Sequence, residues 1–199
     1  MKVAKPGSLI VDRICVFCGS RAGARPAYAD AARALGVELA RRKLGLVYGG
    51  GGVGLMGTIA DAVLAAGGEA TGVIPESLVA RELAHAGLTE LHVVASMHER
   101  KAKMASLARA FAVLPGAYGT LDETCEALTW TQLGLQSKPC GLLNVEGYFD
   151  PLLAFLDHAV REGFLDRENR GILLVEEDPA RLLSRLLEAT SDRPGSRRS

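Results

Sequence analysis

The stretch AFAVLPGAYGTLDE, residues 110–123, runs an unbroken apolar segment into small and turn-forming residues, then a threonine, then the acidic opening of a helix. Continuous rather than alternating hydrophobicity marks a strand buried on both faces. The turn after it aims backbone N–H groups and the positive end of a helix dipole at one point, which suits a phosphate. Glu123 falls one turn into that helix, which brings a carboxylate close to the sugar that would carry such a phosphate.

Outward from this segment the same alternation fills the chain. ICVFC is followed by the amphipathic PAYADAARALGVELARRK, LGLVY by the helix-period GLMGTIADAVLAAG, and EATGVI by the irregular PESLVARELAHAGL. ELHVVA, MHERKAKMASLARA, AFAVL and TLDETCEALTWTQLGL come next, then KPCGLLN, DPLLAFLDHAVREGF, GILLVEE and PARLLSRLLEAT. Buried strands separated by helices imply an α/β domain, a Rossmann-like doubly wound parallel sheet flanked by helices. Ligands in such sheets sit at the carboxyl ends of the strands. Three turn-rich segments fall there: Cys18–Ser20, Tyr48–Gly54 and the Pro115 loop. One domain over residues 1–190 is expected, followed by a disordered polar tail, 191–199.

The 199 residues are 48% hydrophobic and 23% charged, with Lys+Arg and Asp+Glu equal at 23 each. No global field favours nucleic acid or an anionic membrane, so neither is expected as a partner and any anion must be held by local basic groups. Apolar runs break before a membrane span is complete, and MKVAKPGSLIVDR lacks a signal-peptide core, so a cytoplasmic protein is expected. Cys15 and Cys18 form C-x-x-C inside a strand, without the second ligand pair of a zinc site or the helix start of a redox motif. They are expected to be buried, inert thiols, as are Cys125 and Cys140, and no metal site is expected.

The glycine run YGGGGVG reads two ways. Gly49, Gly51 and Gly54 satisfy G-x-G-x-x-G between a strand and a helix, with Glu76 placed as a ribose-binding acid, which leaves a nicotinamide-dependent oxidoreductase open. The motif follows the second strand rather than the first, however, and a tight turn for close packing explains it equally. A Walker A loop is excluded, because Thr58 stands where lysine is needed.

MHERKAKM, LPGAYGTLDE, ALTWTQLG and KPCGLLNVEGYFDPLL, preceded by CVFCGS and VYGGGGVGLMG, closely resemble the Lonely Guy (LOG) family, cytokinin riboside 5′-monophosphate phosphoribohydrolases. The similarity runs from about Ile14 to the last helix. It implies a Rossmann-like homodimer without a cofactor that cleaves the N-glycosidic bond of N6-modified adenosine 5′-monophosphates, and often AMP. No segment looks like the Schiff-base lysine site of a decarboxylase.

The resemblance also implies roles. Gly116, Ala117, Tyr118, Gly119 and Thr120 hold the 5′-phosphate; Arg100 and Glu123 are catalytic; Lys101, Glu82 and Thr129 touch substrate. Ser20 and the loop Gly49, Gly50, Gly51 and Gly54 wall the same crevice, and Met97 packs against the base. Ala117 departs from the family, which has glycine there, and a side chain would be strained if that position required positive φ. A nucleotide-binding module without catalysis therefore stays open beside the enzyme. On spacing alone, Arg100 and Lys101 would read as a solvated basic face, and Glu123 as a helix-dipole complement.

Overall fold

The computed structural model describes residues 12–79 and 84–191. The strands are β1 (Arg13–Phe17), β2 (Gly45–Tyr48), β3 (Ala70–Pro75), β4 (Glu90–Val94), β5 (Ala110–Val113), β6 (Cys140–Leu143) and β7 (Leu173–Glu176). Between and after them run α1 (Pro26–Arg41), α2 (Gly54–Ala65), α3 (Met97–Leu107), α4 (Tyr118–Gln132), α5 (Asp150–Arg161), the short α6 (Arg167–Arg170) and α7 (Pro179–Ser191). All strand pairs are parallel, in the order β4-β3-β2-β1-β5-β6-β7. The doubly wound α/β reading holds. Of the expected tail, Ser191 belongs to α7 and the remainder lies outside the described residues.

Alternation along each strand divides the interior into two cores. Ile14 and Val16 of β1 pack with Leu46, Leu35, Leu39, Ile59 and Leu183, beneath α1, α2 and α7. Cys15 and Phe17 face the other way, toward Val47, Met104, Phe111, Ala127 and Phe149, beneath α3, α4 and α5. The Phe17 and Phe111 rings stack at 5.4 Å across β1 and β5. Among the described residues no helix is long and apolar enough to cross a membrane.

Strand order reverses between β1 and β5, and a crevice opens at such a switch point where neighbouring loops diverge. Here main-chain bonds tie those loops together. The Gly19 amide donates to the Pro115 carbonyl at 3.0 Å, and the Gly19 carbonyl accepts from the Leu55 amide at 3.1 Å. The loops after β1, β2 and β5 thus share one junction.

Candidate active site

Above that junction lies a cavity of about 450 Å³, walled by the three loops together with residues from α1, α2, α3, α4 and the turn before α5. Its volume is in the range of small-molecule sites.

The helix α4 begins at Tyr118, two residues earlier than the sequence suggests. Tyr118, Gly119 and Thr120 form its first turn, whose amides have no intrahelical partner. Among the described residues the amides of Gly116 to Thr120 donate to no protein acceptor. They are open to an anion in the cavity, which Gly116, Ala117, Gly119 and Thr120 line. Ala117 is the N-cap with φ −117°. The position does not require positive φ, so alanine in place of the family's glycine is not strained in the left-handed sense. The earlier start also puts Asp122 and Glu123 in the second turn, beyond the reach of a dipole-complement explanation for Glu123.

Arg100 comes from α3, whose first turn is fixed by Ser96 and Glu99. The Ser96 hydroxyl accepts from the Glu99 amide at 3.2 Å, and the Glu99 carboxylate accepts from the Ala95 amide at 2.9 Å. Arg100 follows directly and is only 5% exposed. Its Nε donates to the Val73 carbonyl at 3.0 Å, its Nη2 to the Gly49 carbonyl at 2.7 Å, and its Nη1 approaches Met97 Sδ at 3.8 Å. A buried guanidinium fixed at the ends of β2 and β3 is an aimed charge, not a solvated face. Glu123 lines the same cavity. Both charges act on the Cys18 thiol: burial pushes that thiol up, Glu123 pushes it further, and Arg100 opposes them.

Lys101 points elsewhere. It pairs with Asp122 at 3.1 Å and Glu126 at 3.2 Å and is not itself among the lining residues, although Asp122 is. Burial alone would lower its pKa, but the two carboxylates raise it above the ordinary lysine value. Adjacent helical positions diverge by about 100°, so α3 gives one cation to the cavity and the next to α4.

Ser20, Gly49 and Met97 line the cavity as expected; Gly50, Gly51, Gly54, Tyr118 and Thr129 do not. Tyr118 is 92% exposed and Thr129 is also exposed, toward the far end of α4. Glu82 lies outside the described residues. The glycines after Gly49 serve packing. Gly50 accepts from the His85 amide at 3.0 Å and Gly51 bridges to Ala84. Gly54, at φ 63°, passes so close to the β1 loop that a Cβ would lie 2.3 Å from the Ser20 carbonyl carbon.

That arrangement weighs against the dinucleotide reading. The Leu55 amide, which in such a site would face a pyrophosphate, is taken by Gly19, and Glu76 is exposed and not among the lining residues. Of the four thiols expected to be buried, Cys125 is exposed. Sequence reasoning did not single out Tyr28, Leu78 or Tyr148 as cavity residues. Tyr148 carried a signal as part of the NVEGYFD motif; Tyr28 and Leu78 reach the cavity through tertiary packing that no spacing reveals.

The fold itself is known from solved structures. The molybdenum cofactor carrier protein of Chlamydomonas reinhardtii superposes with a TM-score of 0.71 at 20% identity, over 92% of this chain and 99% of that one. Fold and site together define a Rossmann-like α/β protein with a cavity lined by unpartnered amides at its topological switch. A family profile described as "Possible lysine decarboxylase" matches residues 56–186. The chain is 51% identical over 176 residues to the probable cytokinin riboside 5′-monophosphate phosphoribohydrolase LOGL9 of Oryza sativa subsp. japonica, covering 88% of this chain and 78% of that protein. It is 51% identical over 174 residues to cytokinin riboside 5′-monophosphate phosphoribohydrolase LOG1 of Arabidopsis thaliana, covering 87% and 82%. The chain belongs to the LOG family.

Proposed function

We propose that this protein is a phosphoribohydrolase that cleaves the N-glycosidic bond of N6-modified adenosine 5′-monophosphates, cytokinin riboside 5′-monophosphates in particular, and also AMP. The products are the free base and ribose 5-phosphate. One observation carries the reading: a single cavity brings together an unpartnered amide cradle, a buried guanidinium and a carboxylate. The names of the relatives, at half identity over most of the chain, support it.

The amides opening α4 and the Thr120 hydroxyl receive the 5′-phosphate, each charge-assisted bond contributing about 1.5–3 kcal/mol where water is excluded. The phosphate fixes the ribose, and the ribose places its anomeric carbon near Glu123. As the C1′–N bond lengthens, its electron pair leaves with the base and positive charge grows on the sugar. The Glu123 carboxylate stabilises that charge and accepts a proton from the water whose oxygen attacks C1′; the departing base takes up a proton from solvent and Glu123 returns its own there, so that one water is consumed in all. Arg100 cannot give up its proton, so its contribution is electrostatic, holding the negative charge that develops on the substrate. Met97, 42% exposed at the cavity wall, and Leu78 offer the base an apolar surface.

A decarboxylase using a Schiff base would need a lysine in the cavity, and no lysine is among its described lining residues. The enzyme works in the cytoplasm, where its four free cysteines stay reduced. It acts as a homodimer. On this side of the molecule Leu128 packs against the core, while Leu133 and Leu135, 64% and 71% exposed, follow the end of α4. Those two leucines are the surface offered to a second copy, and a single-chain mass by light scattering would rule the dimer out.

The decisive experiment incubates the protein with isopentenyladenosine 5′-monophosphate and with AMP, then separates the products by liquid chromatography. Free base and ribose 5-phosphate in equal amounts are expected. Binding of both nucleotides without release of base would overturn the catalytic reading.

A further inference from the structure

The turn between β6 and α5, NVEGYFD, takes no part in the chemistry above, yet it is held from several directions. Glu146 and Gly147 both adopt positive φ, 48° and 71°, a conformation rare for a residue with a side chain. The Asn144 side chain closes the turn from within, Oδ1 accepting from the Phe149 amide at 2.8 Å and Nδ2 donating to Asp150 Oδ1 at 2.8 Å. From the head of α1, Arg25 Nη1 donates to Glu146 Oε2 at 2.9 Å. What this bracing delivers is Tyr148. Its ring stands edge-on to Tyr28 at 5.5 Å and to Phe149 at 5.0 Å, and its hydroxyl donates to the Gly116 carbonyl at 2.7 Å.

Gly116 precedes Ala117 in the amide cradle. In a trans peptide the C=O and N–H point in opposite directions across one plane. A donor that holds the Gly116 carbonyl therefore also sets the direction of the Ala117 N–H, and keeps the carbonyl's negative end from turning toward a bound anion. Among the described residues the Ala117 amide has no protein acceptor of its own to orient it.

We propose that Tyr148 is a positioning residue: its hydroxyl orients the Gly116–Ala117 peptide so that the cradle presents an N–H, not a carbonyl, to the substrate's 5′-phosphate. This inference rests on the phosphoribohydrolase reading and extends it to the recognition of the phosphate. Tyr148 is 38% exposed, and Tyr148→Phe keeps both ring contacts while removing only the hydroxyl. The test measures ribose 5-phosphate binding by calorimetry, and kcat and KM for AMP by release of base. Loss of this one bond is expected to weaken ribose 5-phosphate binding and raise KM by the same factor, roughly three- to tenfold, with kcat within about twofold. A merely structural role would lower kcat through general loosening and leave the two affinities out of step. Unchanged Kd and KM, or a fall in kcat alone, would reject the role of Tyr148 while leaving the enzyme reading intact. Wild-type protein that binds no ribose 5-phosphate would overturn both.

Discussion

The Arg100 guanidinium occupies the space that a side chain on Gly49 would fill. Its Nη2 donates to the Gly49 carbonyl at 2.7 Å, and a Cβ on Gly49 would lie 2.2 Å from that same nitrogen. Glycine at the end of β2 is required by a buried cation, not by a nucleotide backbone. Gly49→Ala is therefore expected to displace the guanidinium and lower turnover roughly a hundredfold, the scale of a 1 Å misplacement of a reacting group. Release of base from AMP, beside a circular dichroism spectrum showing retained fold, checks this; wild-type turnover would show that Arg100 need not sit where it does.

Removing the cation itself has two consequences. Arg100→Ala should reduce turnover by about a hundredfold or more. It should also cost about 1–3 kcal/mol of stability, because the Val73 and Gly49 carbonyls lose their buried donor. Arg100→Lys is not expected to rescue either effect, since an ammonium cannot span two carbonyls in the planar geometry of the guanidinium. Turnover and urea denaturation of both variants give the answer, and a fully active lysine variant would contradict the assignment.

Glu123→Gln keeps the size of the side chain and removes its charge. A drop in kcat of about a hundredfold with little change in KM is expected, because the carboxylate acts on charge that exists only in the transition state. A variant with raised KM and normal kcat would mean that Glu123 merely holds the substrate.

Ala117→Gly restores the family's residue at the N-cap of α4. With φ at −117° in the present chain, glycine relieves no left-handed strain, so kcat/KM for AMP is expected to stay within about a factor of two. A large gain in activity would show that the alanine methyl crowds the phosphate.

Stability in acid should depend on Glu38, at the end of α1. Hydrogen bonds from Arg41 and Arg42 hold its carboxyl at about 2, below the ordinary 4.5, against a smaller upward push from burial. In this group the folded state binds protons less readily than the unfolded one, so its stabilisation is complete above about 4.5 and lost as pH falls toward 2. Glu38→Gln should melt below wild type at neutral pH, with the gap closing over that interval. A gap independent of pH would rule out the linkage.

The architecture was legible because most strands are short continuous apolar runs separated by segments of helical period. The run AFAVL became β5 within a residue. The Pro115 loop stood out as a turn at the carboxyl end of a parallel strand, whereas Arg100 and Glu123 were singled out only through the resemblance to the LOG family, since spacing alone gave each a bland reading. What could not be read was direction. Arg100 and Lys101 are neighbours in sequence, and only the packing of α3 against β3 and α4 decides that one enters the cavity and the other pairs with Asp122 and Glu126. Thr129 and the side chain of Tyr118 likewise fall outside the cavity lining, since helical phase relative to the sheet is set by tertiary contacts. Tyr148 reaches the cradle from 32 residues away, a distance across which no local pattern carries information.

Gly19 spends both of its main-chain polar groups on neighbouring loops, one on Pro115 and one on Leu55. The floor of the site consequently inherits the stiffness of the sheet and leaves almost nothing to be tuned without unfastening the whole knot. Diversification toward bulkier or smaller bases is channelled to the rim, where exchanging Leu78 or Met97 reshapes the entrance while the catalytic ground beneath stays as it is.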